Sequence, residues 1–325
     1  MNLPSRPLGA SGLDVSVMAL GSWRTYERMT REQGVAVMQA ARDAGITFLD
    51  DARYDDETGD APIATGWSEV VFGELFRATG WNRDEVVVSN KLWWEHWPDE
   101  DATDELDGSL SRMQFDHVDL IYAMPPSAAL PMEVLVEQVG GLLRSGRARA
   151  WGTGMWSGAE HLEALDICEQ TGVPAPVAAQ MATSLVEHSQ PDDPEMLRAF
   201  ERGNIGLVAS YALAGGTLTG KYLRGERGRA DEHPSPADRI GKELATKVVA
   251  LAEKWGVPPA HVAFAYAFSH PHLASVLFGA RTPEQLRENV AAYETFAALA
   301  PDQLDAIRGL ATERGGSSST TAPAV

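Results

Sequence analysis

Eight times along this chain a short run of apolar, often β-branched residues gives way to a stretch with helical periodicity. That alternation constrains the fold most. Parallel strands buried on both faces read as continuous apolar runs, and each needs a crossover, usually helical, before the next. The strand candidates are residues 15–21, 46–50, 85–90, 118–123, 148–152, 178–182, 206–210 and 274–278. Between them, 30–44 opens on Thr and closes at Gly45, and 68–79 stops at Gly80. Residues 131–144 begin on Pro131 and stop before Gly146, and 242–255 stop at Gly256. Proline at a helix start and glycine just past its end are ordinary boundary signals. Eight such units with no linker between them predict an α/β chain closed into a single-domain (β/α)8 TIM barrel over residues 1–312. The Gly- and Ser-rich tail, 313–325, is expected to be disordered.

Composition narrows the partners. The 46 acidic residues against 27 basic ones give a formal net charge of −19, which repels nucleic acid and anionic membranes. A small-molecule substrate is the expected partner, and assembly into a homo-oligomer is compatible with it. Residues 1–7 hold no apolar leader, and no run reaches the roughly 18 apolar residues needed to span a bilayer. The expected location is cytoplasmic. The single cysteine, Cys168, excludes an internal disulfide framework and reads as core filler in a helical stretch with acidic neighbours.

A barrel of this kind carries its chemistry at the C-terminal ends of its strands. Asp50 and Asp51 close the second strand candidate, Tyr54 follows, and Lys91 ends the third. An ammonium beside a phenol favours the phenolate, and a buried carboxylate keeps that lysine charged. Tyr54 would then donate a proton near neutral pH, as the reduction of a carbonyl requires. The same residues also fit a structural ion pair with a tyrosine on the rim. A second signal is the segment 279–289, where Thr282, Pro283 and Gln285 make a capping box and Arg281 stands before the positive end of the helix. Gly215, Gly216 and Lys221 follow the seventh strand, and the loops after strands seven and eight are where barrels hold phosphate. A well-capped surface helix is the plain alternative. Five tryptophans, Trp23, Trp93, Trp94, Trp97 and Trp156, follow strand ends and are expected to line a deep apolar substrate pocket.

Eight motifs in order then carry a resemblance: LGSW at 20–23, FLDDARY at 48–54, SEVVFGE at 68–74, VVVSNKLWW at 86–94, VDLIYA at 118–123, WGTGMWS at 151–157, GGTLTGKY at 215–222 and FGARTPEQLREN at 278–289. From about residue 7 to 310 the chain resembles the aldo-keto reductase family, in particular the branch of potassium-channel β subunits and related bacterial reductases. The resemblance implies a barrel that binds NADP(H) without a Rossmann domain, with a catalytic Asp, Tyr and Lys at Asp50, Tyr54 and Lys91. It implies Tyr211 beneath the nicotinamide, Gln180 near its carboxamide, and the loop Ala212, Leu213, Gly215, Gly216 and Leu218 with Lys221 on the pyrophosphate. Arg281, Gln285, Glu288 and Asn289 would grip the adenosine phosphate and adenine. Gly21, Ser22, Trp23, Thr153, Gly154, Ser210 and Gly279 complete the implied cofactor contacts.

Two departures from the family pattern stand out. One residue fewer separates Asp50 from Tyr54 than the family usually has, and Met124 stands where the family's usual histidine follows the fourth strand. A thioether donates no hydrogen bond, and one oxyanion donor is worth ~3–4 kcal/mol. Met124 would then shape the pocket. The expected function is an NADPH-dependent oxidoreductase reducing a carbonyl, an imine or an activated C=C of a bulky apolar substrate, with no metal. Two alternatives are a non-enzymatic or very slow NADP(H)-binding redox sensor or scaffold, and an unrelated phosphate-binding lyase or isomerase barrel.

Overall fold

Eight parallel strands hydrogen-bond in a closed ring in the computed structural model, which describes residues 3–232 and 234–312. A short antiparallel hairpin, β1 (Ser5–Pro7) and β2 (Asp14–Ser16), precedes them. The ring runs β3 (Met18–Gly21), β4 (Phe48–Asp50), β5 (Val87–Leu92), β6 (Val118–Ala123), β7 (Ala148–Gly154), β8 (Ala178–Ala182), β9 (Gly206–Ser210) and β10 (Leu273–Phe278). It closes where Val276, Leu277 and Phe278 pair with Met18, Ala19 and Leu20. The (β/α)8 barrel expected from the alternation is therefore the observed fold. The tail expected to be disordered lies outside the described residues.

The helices are α1 (Arg31–Asp43), α2 (Trp67–Thr79), α3 (Ala102–Met113), α4 (Met132–Ser145), α5 (Gly158–Thr171), α6 (Pro194–Gly203), α7 (Arg229–Glu232), α8 (Pro236–Trp255), α9 (Pro259–Phe268), α10 (Pro283–Ala298) and α11 (Pro301–Thr312). Thr30, Asp101 and Ser157 each form a full capping box at the start of α1, α3 and α5. Gly80, Gly146, Gly172 and Gly256 end their helices in the left-handed conformation that glycine adopts without penalty. Among the described residues no helix is long and apolar enough to cross a membrane.

Two packing layers follow from strand alternation. Ala19, Phe48, Val87, Leu120, Ala150, Ala178 and Val208 fill the barrel interior, and Leu8, Leu13 and Val15 of the hairpin plug it. Phe48 and Val87 are the first residues of their strands, so the plug closes the N-terminal end and leaves the opposite end for the site. The opposite strand faces pack against the helix ring in a larger cluster that includes Leu20, Leu49, Val88, Ile121 and Trp151. Cys168 sits in that cluster, where burial, with Glu169 beside it, pushes its thiol up to about 11.

Several boundaries differ from the sequence reading, and three of them have a physical cause or bear on the site. The first strand candidate splits at Val17: residues 14–16 pair with β1, and Met18 begins the barrel strand. Ser16 donates to the Met18 carbonyl at 2.6 Å and accepts the Thr47 N–H at 2.9 Å, which diverts the backbone from the ring. Helix α8 starts at Pro236 rather than 242, because the Ser235 and Asp238 side chains build a capping box there. Strand β5 runs on to Leu92, so Lys91 lies within it rather than at its end.

Candidate active site

β4 and β5 pair through Asp50 and Ser89, which sets Lys91 two residues further along the same face of β5. Lys91 Nζ donates to Asp50 Oδ2 at 2.7 Å and to the Tyr54 hydroxyl oxygen at 3.1 Å. The second carboxylate oxygen of Asp50 accepts from Ser89 Oγ at 2.7 Å and from Gln180 Nε2 at 3.2 Å. Asp50 is 2% exposed and Lys91 4%, so this is a buried ion pair whose carboxylate is satisfied on both oxygens. The shorter Asp50–Tyr54 spacing still delivers the phenol. Tyr54 N–H bonds back to the Ala52 carbonyl at 2.9 Å, and the Tyr54 carbonyl accepts from Gly66 at 2.8 Å, a tight turn that aims the ring at Lys91.

Burial dominates the electrostatics. It would lower the Lys91 pKa, but the Asp50 carboxylate and Tyr54 outweigh it, and the net shift is upward: Lys91 stays an ammonium. For Tyr54, burial raises the pKa, Lys91 lowers it, and the net shift is again upward. The expectation of a phenol made acidic at rest is thus corrected, because desolvating a phenolate outweighs one neighbouring ammonium. Asp51 is fully buried, with Ser22 Oγ donating to one oxygen and, among the described residues, nothing bonded to the other. Burial, then the nearby Glu69, raises its pKa well above the carboxylate range.

On the neighbouring strand, Met124 follows β6, its N–H donating to the Leu92 carbonyl at 3.0 Å; it is buried, and a Cβ on Gly154 would collide with its sulfur. Beside it, Thr153 Oγ1 lies 2.6 Å from His161 Nε2, while His161 Nδ1 lies 2.8 Å from the Ser157 carbonyl. A carbonyl only accepts, so Nδ1 carries the proton and Thr153 donates to Nε2. Burial lowers the His161 pKa to about 4.

The segment after β9 folds into short 3₁₀ turns. Tyr211, Ala214, Gly215 and Gly216 have φ of 61, 47, 65 and 87°, left-handed backbone at four positions of one short segment, where Ala214 N–H donates to the Tyr211 carbonyl and Gly216 N–H to the Leu213 carbonyl. Ser210 precedes it, and Ala212, Ala214 and Leu218 anchor it in buried positions. Lys221 is folded beside it, close enough that a Cβ on Gly216 would meet its Nζ at 2.9 Å. Arg281 and Gln285 are exposed at the start of α10, with Gly279 just before them at the end of β10. Thr282 caps α10 as expected. The capping box is incomplete, because the Gln285 amide oxygen accepts instead from Arg281 N–H at 2.8 Å. Glu288 is exposed and Asn289 buried on the same helix. Gly21 ends β3, and Ser22 N–H donates to the Asp50 carbonyl at 3.0 Å.

Two cations escaped the sequence reading. Arg24 and Arg229 lie against the Trp23 ring, 4.9 and 4.7 Å from its centroid. Burial lowers the Arg229 pKa, and Arg24, Arg281 and Arg28 add to that. Among the described residues Arg229 forms no salt bridge, whereas Arg24 pairs with Glu57 at 2.5 Å. A half-buried guanidinium among like charges suits an anion. The only hint in the sequence was the arginine-rich stretch after Lys221.

The tryptophans divide. Trp23 is at the mouth, and Trp93 meets Tyr54 edge-on with ring centroids 6.0 Å apart. Trp97 is partly buried against the core. Trp94 and Trp156 are core residues, which corrects their assignment to an open pocket. Trp94 has φ of 63°, which turns its ring inward, and fully buried Trp156 packs edge-on to Trp151 at 6.3 Å and to His161 at 5.7 Å.

The model of the aldo/keto reductase family matches residues 17–312. A probable voltage-gated potassium channel subunit beta of Oryza sativa subsp. japonica is 32% identical over 320 residues, covering 93% of this chain and 95% of that protein. One of the same name from Arabidopsis thaliana is 30% identical over 317 residues, covering 92% and 94%.

Proposed function

The chain belongs to the aldo/keto reductase family, whose members are NAD(P)-dependent oxidoreductases, and from that premise we propose that it reduces a carbonyl with NADPH, Tyr54 giving the proton. The observation that carries this reading is the single ammonium, Lys91, that bridges Asp50 at 2.7 Å and Tyr54 at 3.1 Å. An ammonium only donates, so the phenol oxygen receives from Lys91 and its own O–H points elsewhere, free for a substrate. As that proton leaves, phenolate charge grows beside a fixed cation in a buried site, where the attraction exceeds its value in water. The upward-shifted resting phenol fits this account, because Lys91 acts on the charge that develops in the reaction. Asp50 holds Lys91 charged, and Ser89 and Gln180 hold Asp50.

NADP(H) fits the residues present. The glycine-bearing loop after β9 and Lys221 suit a pyrophosphate, Arg229, which forms no salt bridge among the described residues, and exposed Arg281 suit a further phosphate, and Tyr211 suits the nicotinamide ring. Bound there, the cofactor supplies the hydride. Trp23 and Trp93 would flank an apolar substrate next to Tyr54, and Met124 would contact it without donating. An imine, whose reduction places the electron pair on nitrogen and makes no oxyanion, also falls within this reading, as does an activated C=C.

Met124 favours a second reading, a slow or inert NADP(H)-binding sensor or scaffold, and the names of the two plant relatives point the same way. Stopped-flow absorbance of NADPH with a panel of aldehydes, ketones and imines separates the two. Cofactor oxidation supports the reductase, and tight binding without turnover across the panel supports the sensor.

A further inference from the structure

Glu105 lies on α3, outside the strand ring, and is only 4% exposed. One of its carboxylate oxygens accepts the Trp93 N–H at 2.8 Å, and the other accepts the Trp94 N–H at 3.2 Å. Arg53 Nη2 lies 3.3 Å from the first oxygen and 3.0 Å from Glu95. Arg53 is the residue before Tyr54, and Trp93 comes two residues after Lys91. A single buried carboxylate therefore holds both segments that carry the pair proposed for the chemistry. Trp94 adopts a φ of 63°, a conformation that bulky residues keep only when the surroundings hold it. The turn it makes presents two successive N–H groups, and the two Glu105 oxygens take one each.

We infer that Glu105 is a positioning residue: it clamps the Trp93–Trp94 turn and, through Arg53, keeps Tyr54 seated over Lys91 and edge-on to Trp93. This rests on the reading of Tyr54 and Lys91 given above. The site calls for a carboxylate, because an amide offers one acceptor oxygen and would face the other N–H with its own NH2. Burial raises the Glu105 pKa, and the two N–H groups and Arg53 oppose that rise, which is how a buried carboxylate is kept in place.

The full chain, labelled with 5-fluorotryptophan and with the Trp93 resonance assigned through Trp93→Phe, tests the clamp by fluorine NMR. In Glu105→Gln the Trp93 resonance is expected to shift or broaden while that of Trp151 stays in place. Carbonyl turnover should fall about tenfold or more, with the Kd for NADPH within about twofold of wild type. Arg53→Gln should move the same resonance, and the double variant should lose no more than Glu105→Gln alone. An unmoved Trp93 resonance, or turnover and cofactor affinity falling together, overturns the clamp. If Glu105→Gln does not fold, Arg53→Gln gives the same readout. Wild-type protein inert toward every carbonyl would overturn the proposed reaction and leave the fluorine result to decide the clamp.

Discussion

The Met124 sulfur occupies the space that a side chain at Gly154 would need. The position of the family's usual histidine thus holds a group without a proton to give, fitted to a neighbour with no Cβ. Met124→His would put a proton donor at that position, in the space beside Gly154 that the sulfur leaves. Since one oxyanion donor is worth about 100-fold or more, turnover with an aldehyde is expected to rise at least about tenfold. Steady-state kinetics on a shared substrate panel check this. Gly154→Ala should instead lower stability by about 1–3 kcal/mol through overpacking, read by urea unfolding.

Arg281→Ala should weaken NADPH binding far more than NADH binding. A hydrogen bond to a charged group contributes about 1.5–3 kcal/mol, which is roughly 10- to 150-fold in Kd. Titration calorimetry with both cofactors measures it, and equal losses would remove Arg281 from the extra phosphate.

Acid should destabilise the fold through His161. Its folded pKa is lowered to about 4, against an ordinary value of 6.5. Between those values the unfolded chain binds the proton and the folded chain does not. Stability is therefore complete above pH 6.5 and is lost as pH falls toward 4, by about 3 kcal/mol in total. His161→Gln cannot take up that proton, so its unfolding free energy should fall less between pH 7 and pH 4.5 than that of the wild type. Parallel curves would contradict the assignment.

Cys168 should resist alkylation in the native state. With its thiol pushed up to about 11 and buried, the reactive thiolate is roughly one part in a thousand at pH 8. Rapid labelling by iodoacetamide without urea would count against the core placement.

The ring of strands was legible because burial on both faces writes itself as nearly continuous apolar runs, such as VDLIYA, six buried residues of which only Asp119 is charged. The plugging hairpin was not legible, because Ser-Arg-Pro at 5–7 has no apolar pattern and pairs only through its backbone. Asp50 and Lys91 stood out as charges ending such runs. The net pKa of Tyr54 did not, since desolvation depends on what the folded chain stacks around the ring. The inward turn of Trp94 depends on one backbone dihedral, and the convergence of Arg24 and Arg229 on Trp23 brings together residues about 200 positions apart. Spacing in the sequence carries neither.

The central claim is that Tyr54 gives the proton under the charge of Lys91. Single-turnover stopped flow, with NADPH saturating and a reactive aldehyde, compares wild type with Tyr54→Phe. The account predicts that the variant binds NADPH as tightly as wild type and oxidises it about 100-fold or more slowly. Oxidation at the wild-type rate in Tyr54→Phe would contradict it.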